Sequence, residues 1–249
     1  VDSDCRIRFL PNPWPSDALP APTCSLLTVA PTKGIVVGGA PEGLVVARTE
    51  SVRQAIGANV GEGVKTKPFE PQAKIPLPAR PMQVAFASGE NALVASTEDG
   101  QQLLVYETSA LLQSNAQPAL RIPTNGAQLR ALAPNPAPAT DSNSELIAMV
   151  TTNGELLIAN LKAGSVVPGP NGPVLKNNVS CVSWSNKGKQ LVAGLADGTG
   201  YQMTPQGQKK DEIPRPPNLE GDRHSKLPQC IALKPGNDLT ISSLFHIVA

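Results

Sequence analysis

The sequence predicts an all-β chain folded as a β-propeller with WD-like blades, about four complete blades plus a fragment. Two observations predict it. The first is a recurring hairpin signal, an X-Gly pair between two apolar runs, at Glu42-Gly43, Asp99-Gly100, Asn153-Gly154 and Asp197-Gly198, spaced by 57, 54 and 44 residues. The second is that Met82–Val105 lies over Ser180–Met203 without a gap, which sets Val84 on Val182, Phe86 on Trp184, Leu93-Val94-Ala95 on Leu191-Val192-Ala193 and Asp99-Gly100 on Asp197-Gly198. Several strands per period of 40 to 50 residues is the mark of propeller blades, each a four-stranded sheet. Another all-β repeat or a sandwich is the alternative. Asp-Gly between apolar runs also predicts type I′ turns, in which both central residues take positive φ.

The elements follow in order. Residues 1–22 read as an N-terminal strand and a Pro-rich lead; Cys5-Arg-Ile-Arg-Phe-Leu10 alternates polar and apolar side chains and stops at Pro11. That strand either closes the last blade or is an ordinary edge strand. Blade one is expected at 23–77, with strands near 24–30, 35–39, 44–48 and 72–76. Thr49–Ile56 is the best helix candidate, because a hydroxyl at its start can cap free amides, and Gly57–Gly63 reads as a loop. Blade two is expected at 82–122 with a short helical turn at Ser109–Gln113. Blade three falls at 128–176, with a Pro- and Ser-rich excursion over Ala133–Asn143, and blade four at 179–214. Together the blades occupy 23–222. Residues 223–249 are an atypical tail in which Ile231–Ile241 is a possible start of a fifth blade. The chain begins on Val1 rather than Met, so a piece of a longer protein is expected.

Proline is 26 of 249 residues, about twice its usual share of roughly 5%. It clusters at 11–22, 68–81, 118–138, 168–173 and 205–217, which places it between hairpins, where it removes no central ladder bond. A net charge of +1 gives no footprint for sequence-independent nucleic-acid binding. Lys209-Lys210 followed by Asp211-Glu212 reads as a solvated loop. Cys5, Cys24, Cys181 and Cys230 have no C-x-x-C spacing and read as thiols rather than a disulfide framework. No apolar run reaches the roughly 20 residues of a membrane span. These features lead us to expect an intracellular protein, and the sequon Asn178-Val-Ser180 is then read as incidental.

Catalytic sets are thin. The two histidines, His224 and His246, both fall in the atypical tail, so no Ser/His/Asp or Cys/His constellation forms around the blades, and no metal or cofactor site is expected. Turn chemistry accounts for the acids Glu42, Asp99 and Asp197. Gly43, Asp99, Gly100, Asn153, Gly154, Asp197 and Gly198 are therefore read as structural turn residues, and Trp184 as packing between blades. No partner-binding residue can be picked out.

One stretch carries a resemblance. Val150-Thr-Thr-Asn-Gly-Glu-Leu-Leu-Ile-Ala-Asn-Leu161, Gly169-Pro-Asn-Gly-Pro-Val-Leu175, Val179-Ser-Cys-Val-Ser-Trp-Ser185, Gly188-Lys-Gln-Leu-Val-Ala-Gly-Leu-Ala-Asp-Gly198, Tyr201-Gln-Met-Thr-Pro205 and Ile213-Pro-Arg-Pro-Pro-Asn-Leu219 resemble the N-terminal propeller of the fungal nucleoporin of the cytoplasmic filaments. Thr49-Glu-Ser-Val-Arg53, Thr124-Asn-Gly126 and Leu132-Ala-Pro-Asn-Pro136 fit the same pattern. The resemblance covers about residues 6–222 and is most specific over 120–220. It implies a seven-bladed domain in the full family and a non-catalytic scaffold at the cytoplasmic face of the nuclear pore complex. It also implies docking of the DEAD-box helicase of mRNA export, contacts with other nuclear-pore proteins, and no direct nucleic-acid or membrane insertion. Its docking loops are expected on blades beyond Asp222. The alternatives are a generic WD-like interaction adaptor and a propeller enzyme.

Overall fold

A computed structural model describes residues 23–58, 69–113, 115–169, 172–214, 231–233 and 243–245. Its framework is four four-stranded antiparallel sheets, each a simple meander. Blade one is β1 (Leu27–Ala30), β2 (Ile35–Ala40), β3 (Gly43–Arg48) and β4 (Ala73–Pro76). Blade two is β5 (Pro81–Ala87), β6 (Ala92–Thr97), β7 (Gln102–Glu107) and β8 (Leu120–Pro123). Blade three is β9 (Leu129–Pro134), β10 (Leu146–Thr151), β11 (Leu156–Asn160) and the two-residue β12 (Ser165–Val166). Blade four is β13 (Val179–Trp184), β14 (Leu191–Leu195), β15 (Gly200–Met203) and β16 (Lys209–Ile213). A further pair, β17 (Ile231–Leu233) and β18 (Ser243–Phe245), is antiparallel and lies where a fifth blade was expected to begin.

Period-2 alternation explains how the blades stack, because successive side chains of a strand point to opposite faces. In β6, Leu93 and Ala95 enter the cluster shared with Ile35, Val37, Leu44 and Val46 of blade one. Val94, between them, enters the cluster shared with Ile147 and Met149 of blade three. In β10 the other face, Leu146, Ala148 and Val150, packs with Trp184, Leu191 and Ala193 of blade four. Strands covered on both faces are accordingly buried throughout, as in Leu146–Thr151, and read as unbroken apolar runs. Blade one, covered on one face by described residues, alternates instead along Ile35–Ala40. Its other face carries Leu27 and Val29, 71% and 45% exposed.

The four X-Gly pairs all fall at the hairpin between second and third strands, one per blade. The turn type differs from the expectation. Asp99, Asn153 and Asp197 are not among the positive-φ residues; only the glycines that follow them are, at 62°, 79° and 87°. Each glycine amide closes a four-residue turn onto the third residue before it, Gly100 to Thr97, Gly154 to Thr151 and Gly198 to Leu195. The X residue thus takes an ordinary turn conformation and glycine alone supplies the left-handed exit. Consecutive positive-φ residues occur elsewhere, in the run Ser88-Gly89-Glu90 and in the pair Asn125-Gly126, with turn hydrogen bonds from the Asn91 amide to Ser88 O and from the Ala127 amide to Thr124 O.

Other expectations are adjusted by residues. The helix runs Thr49–Ala58, so Gly57 is helical rather than in a loop; the remainder of the expected loop to Gly63 lies outside the described residues. The expected helical turn is a 3-10 turn over Thr108–Ala110. Lys209 and Lys210 lie in strand β16, not a loop, with Lys209 ion-paired to Glu212 at 2.9 Å. Pro76, Pro81, Pro123 and Pro134 stand inside strands, each at a strand end, where a missing N–H is tolerated. Residues 1–22, His224, His246, Cys5 and Cys230 lie outside the described residues. No described helix is long and apolar enough to cross a membrane.

Candidate functional site

The meander puts one X-Gly turn of every blade at the same end of the stack. Asp99 and Asp197 there are each hydrogen-bonded within their own turn rather than gathered into one site. The Asp99 carboxylate accepts from the Thr97 hydroxyl at 2.7 Å and the Gln101 amide at 3.2 Å. Asp197 accepts from the amide and hydroxyl of Thr199 at 2.9 and 2.6 Å. Asn153 and Gly154 lie beside Glu155, whose amide donates to the Thr151 hydroxyl at 3.0 Å. Glu42 is exposed in the Pro41-Glu42 turn of blade one, and Gly43 is already the first residue of β3, paired with Ala40. Among the described residues no group of three or more His, Cys, Asp or Glu could hold a metal ion.

The hydrogen bonds from Thr199 hold the Asp197 carboxyl below its ordinary value. A depressed carboxyl contributes stability that is present above its unfolded value, about 3.9, and is lost as pH falls through the lower folded value. Asp197 is exposed, so the contribution is small. Asp197→Ala is expected to lower the melting temperature slightly at neutral pH. That difference should shrink as the pH falls through the depressed carboxyl value, which thermal melts between neutral and acid pH would measure; an unchanged gap at low pH would exclude the carboxylate as its source.

Beside this turn, Lys176 Nζ sits 3.8 Å and Lys209 Nζ 4.6 Å from the centre of the Tyr201 ring. The ring's negative face attracts both ammonium groups. Glu212 holds the Lys209 ammonium above its usual range through their hydrogen bond.

At the opposite end, the turns joining first and second strands tie each blade to the next. The Glu90 carboxylate of blade two accepts from the amide (3.0 Å) and the hydroxyl of Thr32 in blade one. The Ser88 hydroxyl of blade two donates to Glu145 of blade three at 2.6 Å. The buried Asn135 amide of blade three donates to the Gly188 carbonyl of blade four at 2.9 Å, while its oxygen accepts from Ala137. Nearer the middle of the strands, Gln83 donates to Thr23 O at 2.6 Å. Trp184 is 4% exposed and its Nε1 donates to Ala133 O of blade three at 2.8 Å. Of these inter-blade contacts, sequence reasoning identified Trp184 alone. The rest are single polar residues in turns, with no periodicity to mark them; Asn135 between two prolines is the nearest to a readable signal.

Comparison with known proteins places this stack of blades. The family model of the NUP159/214 beta propeller matches residues 20–236. Nucleoporin NUP159 of Chaetomium thermophilum is 52% identical over 205 residues, which is 82% of this chain and 14% of that protein. The crystal structure of the N-terminal domain of Nup159 superposes with a TM-score of 0.56 at 16% identity, over 93% of this chain and 56% of that one. A chain of the S. cerevisiae assembly of dbp5 bound to nup159, gle1, IP6 and ADP matches with a TM-score of 0.57 at 17% identity, over 86% of this chain and 50% of that one.

Proposed function

The chain belongs to the NUP159/214 β-propeller family, and from that premise we propose that it is a non-catalytic scaffold module of the nuclear pore that binds the DEAD-box RNA helicase of mRNA export. The observation that carries this reading is the 52% identity to a nucleoporin across 82% of the chain. The second support is the likeness to a chain of the assembly in which dbp5 is bound to nup159. The geometry suits a scaffold. Blades locked face to face by apolar clusters, and turn to turn by Glu90, Glu145 and Asn135, present their loops on a rigid frame. A scaffold of this kind lowers the ordering cost of a partner's docking. The acids at the X-Gly end, hydrogen-bonded inside their own turns, favour a structural over a catalytic role.

This chain spans 14% of the length of the nucleoporin it matches, and the resemblance implies docking loops on blades beyond Asp222. We therefore expect capture of the purified helicase to be measurable but weaker than capture by the whole propeller domain of the Chaetomium relative. The gap should widen from low to physiological salt, since charge pairing across such contacts is screened. A side-by-side pull-down with both baits tests it. Equal capture would place the docking surface within these four blades. No capture by this chain at low salt, with recovery of an unrelated complex from extract, would favour the generic adaptor.

A further inference from the structure

A cleft of about 560 Å³ opens between blades one and two, at the end opposite the X-Gly turns. Blade one contributes Lys33 and Arg48; blade two contributes Asn91, Glu107 and Ser109; Leu112 supplies an apolar wall. Its backbone frame is pinned. The Thr108 amide and hydroxyl donate to Asn91 O and Glu90 O at 3.0 and 2.7 Å. Thr32, beside Lys33, is held by Glu90, and the Arg48 amide donates to the Gln72 side chain at 2.7 Å. The turn that carries Asn91 is itself unusual, with Ser88, Gly89 and Glu90 all at positive φ, 52°, 58° and 69°. Non-glycine residues in that region store strain and persist where surrounding contacts fix them.

The charged heads are not pinned in the same way. Lys33 and Arg48 are exposed, and among the described residues neither head has an ion-pair partner, Glu107 included. Glu90, the other acid of these turns, is already taken up by Thr32. Two uncommitted cations against one uncommitted carboxylate leave the cleft with an excess of positive charge beside an apolar wall. Pockets of a few hundred Å³ that combine an apolar wall with a few placed polar groups suit an organic ligand larger than a simple ion.

We propose that this cleft is a docking site for a short linear peptide carrying acidic side chains next to apolar ones. The acidic side chain lies between Lys33 and Arg48, with the planar guanidinium able to take the carboxylate in a fork. The apolar neighbour lies against Leu112, and Glu107 accepts from the peptide backbone.

The test is fluorescence anisotropy of the full 249-residue chain with a short fluorescein-labelled peptide of repeating Asp-Leu-Gly, against a Lys-Leu-Gly peptide. Saturable binding of the acidic peptide alone is expected. The double variant Lys33→Glu, Arg48→Glu should weaken it about tenfold or more, since two attractive pairs become repulsive. Ser109→Trp, which fills the cleft from an exposed position, should weaken it as well. Lys187→Glu with Lys189→Glu, the same charge change on blade four, should leave it unaltered. Absence of binding, or a Lys33/Arg48 variant that binds as the native chain does, overturns the proposal. So does equal loss in the blade-four variant, which would mean diffuse attraction. Full displacement by inorganic phosphate at matched ionic strength overturns it too, in favour of a small-anion site.

Discussion

Trp184→Ala is expected to destabilise the chain by about 3–5 kcal/mol, the range for truncating a large aromatic in a packed core. The ring is 4% exposed and lies in the cluster where Leu146, Ala148, Val150 and Ile158 of blade three meet Leu191, Ala193 and Met203 of blade four. Its loss opens a cavity on the seam between two sheets, whose backbones are held by their own ladders and collapse little into the gap. It also removes the Nε1–H hydrogen bond to the Ala133 carbonyl. Trp184→Phe separates the two effects, since it keeps an aromatic ring and removes the N–H; a loss of about 1 kcal/mol is expected from the hydrogen bond, with some more for the smaller ring. Urea melts measure both, and the slope of the transition should be unchanged if only the folded state is weakened. A loss below about 1 kcal/mol for the alanine variant would exclude inter-blade packing as the role of this ring.

Trp184 was legible in the sequence for the same reason the blades were. It sits in a strand whose neighbour Leu191–Leu195 is apolar, ahead of an X-Gly pair, and at the place that Phe86 takes in the repeat 98 residues earlier. Repetition of that pattern places strands and hairpins because side-chain period and turn glycines are local properties. The match is not complete, since Phe86 is only half-buried against the first cluster. Turn geometry was read less well. Asp-Gly satisfies a two-residue type I′ turn, but it equally suits the end of a longer turn in which only glycine needs positive φ, and the strands here stop early enough to leave room for the longer form. The ties between blades were not legible at all. Glu90 meets Thr32, Glu145 meets Ser88 and Asn135 meets Gly188 across 58, 57 and 53 residues of sequence. Each depends on which turns the stacking of successive blades brings together. The cleft of Lys33 and Arg48 has the same origin: two isolated basic residues in sequence become neighbours only after β1 has turned into β2 and β3 has returned beside it.

Gly43→Ala is the second large effect expected, about 3 kcal/mol or more, from two additive causes. Gly43 opens β3 with φ at +148°, where a side chain is strained, at a cost of about 1–3 kcal/mol. A Cβ there would also fall on top of the Ile75 carbonyl oxygen and lie 2.9 Å from Leu77 N and 3.0 Å from Pro76 Cα, all of them backbone atoms of the adjoining β4 and the residue after it. Backbone cannot rotate away as a flexible side chain would, so β4 must shift outward. The pairs Gly43↔Pro76 and Leu44↔Ile75 would be the first to open, although Ile75 is 1% exposed in the cluster between blades one and two. Gly126→Ala supplies the comparison, because Gly126 has φ at +83° but nothing within 4 Å of its would-be Cβ. It therefore carries the conformational cost without the collision, about 1–2 kcal/mol. Denaturant melts should rank Gly43→Ala well below Gly126→Ala in stability, and hydrogen exchange should show the extra loss concentrated at the β4 amides. Equal losses in the two variants would mean that β4 yields freely at this point, and the close approach of Gly43 to Ile75 would then contribute nothing to holding the outer strand of blade one in place.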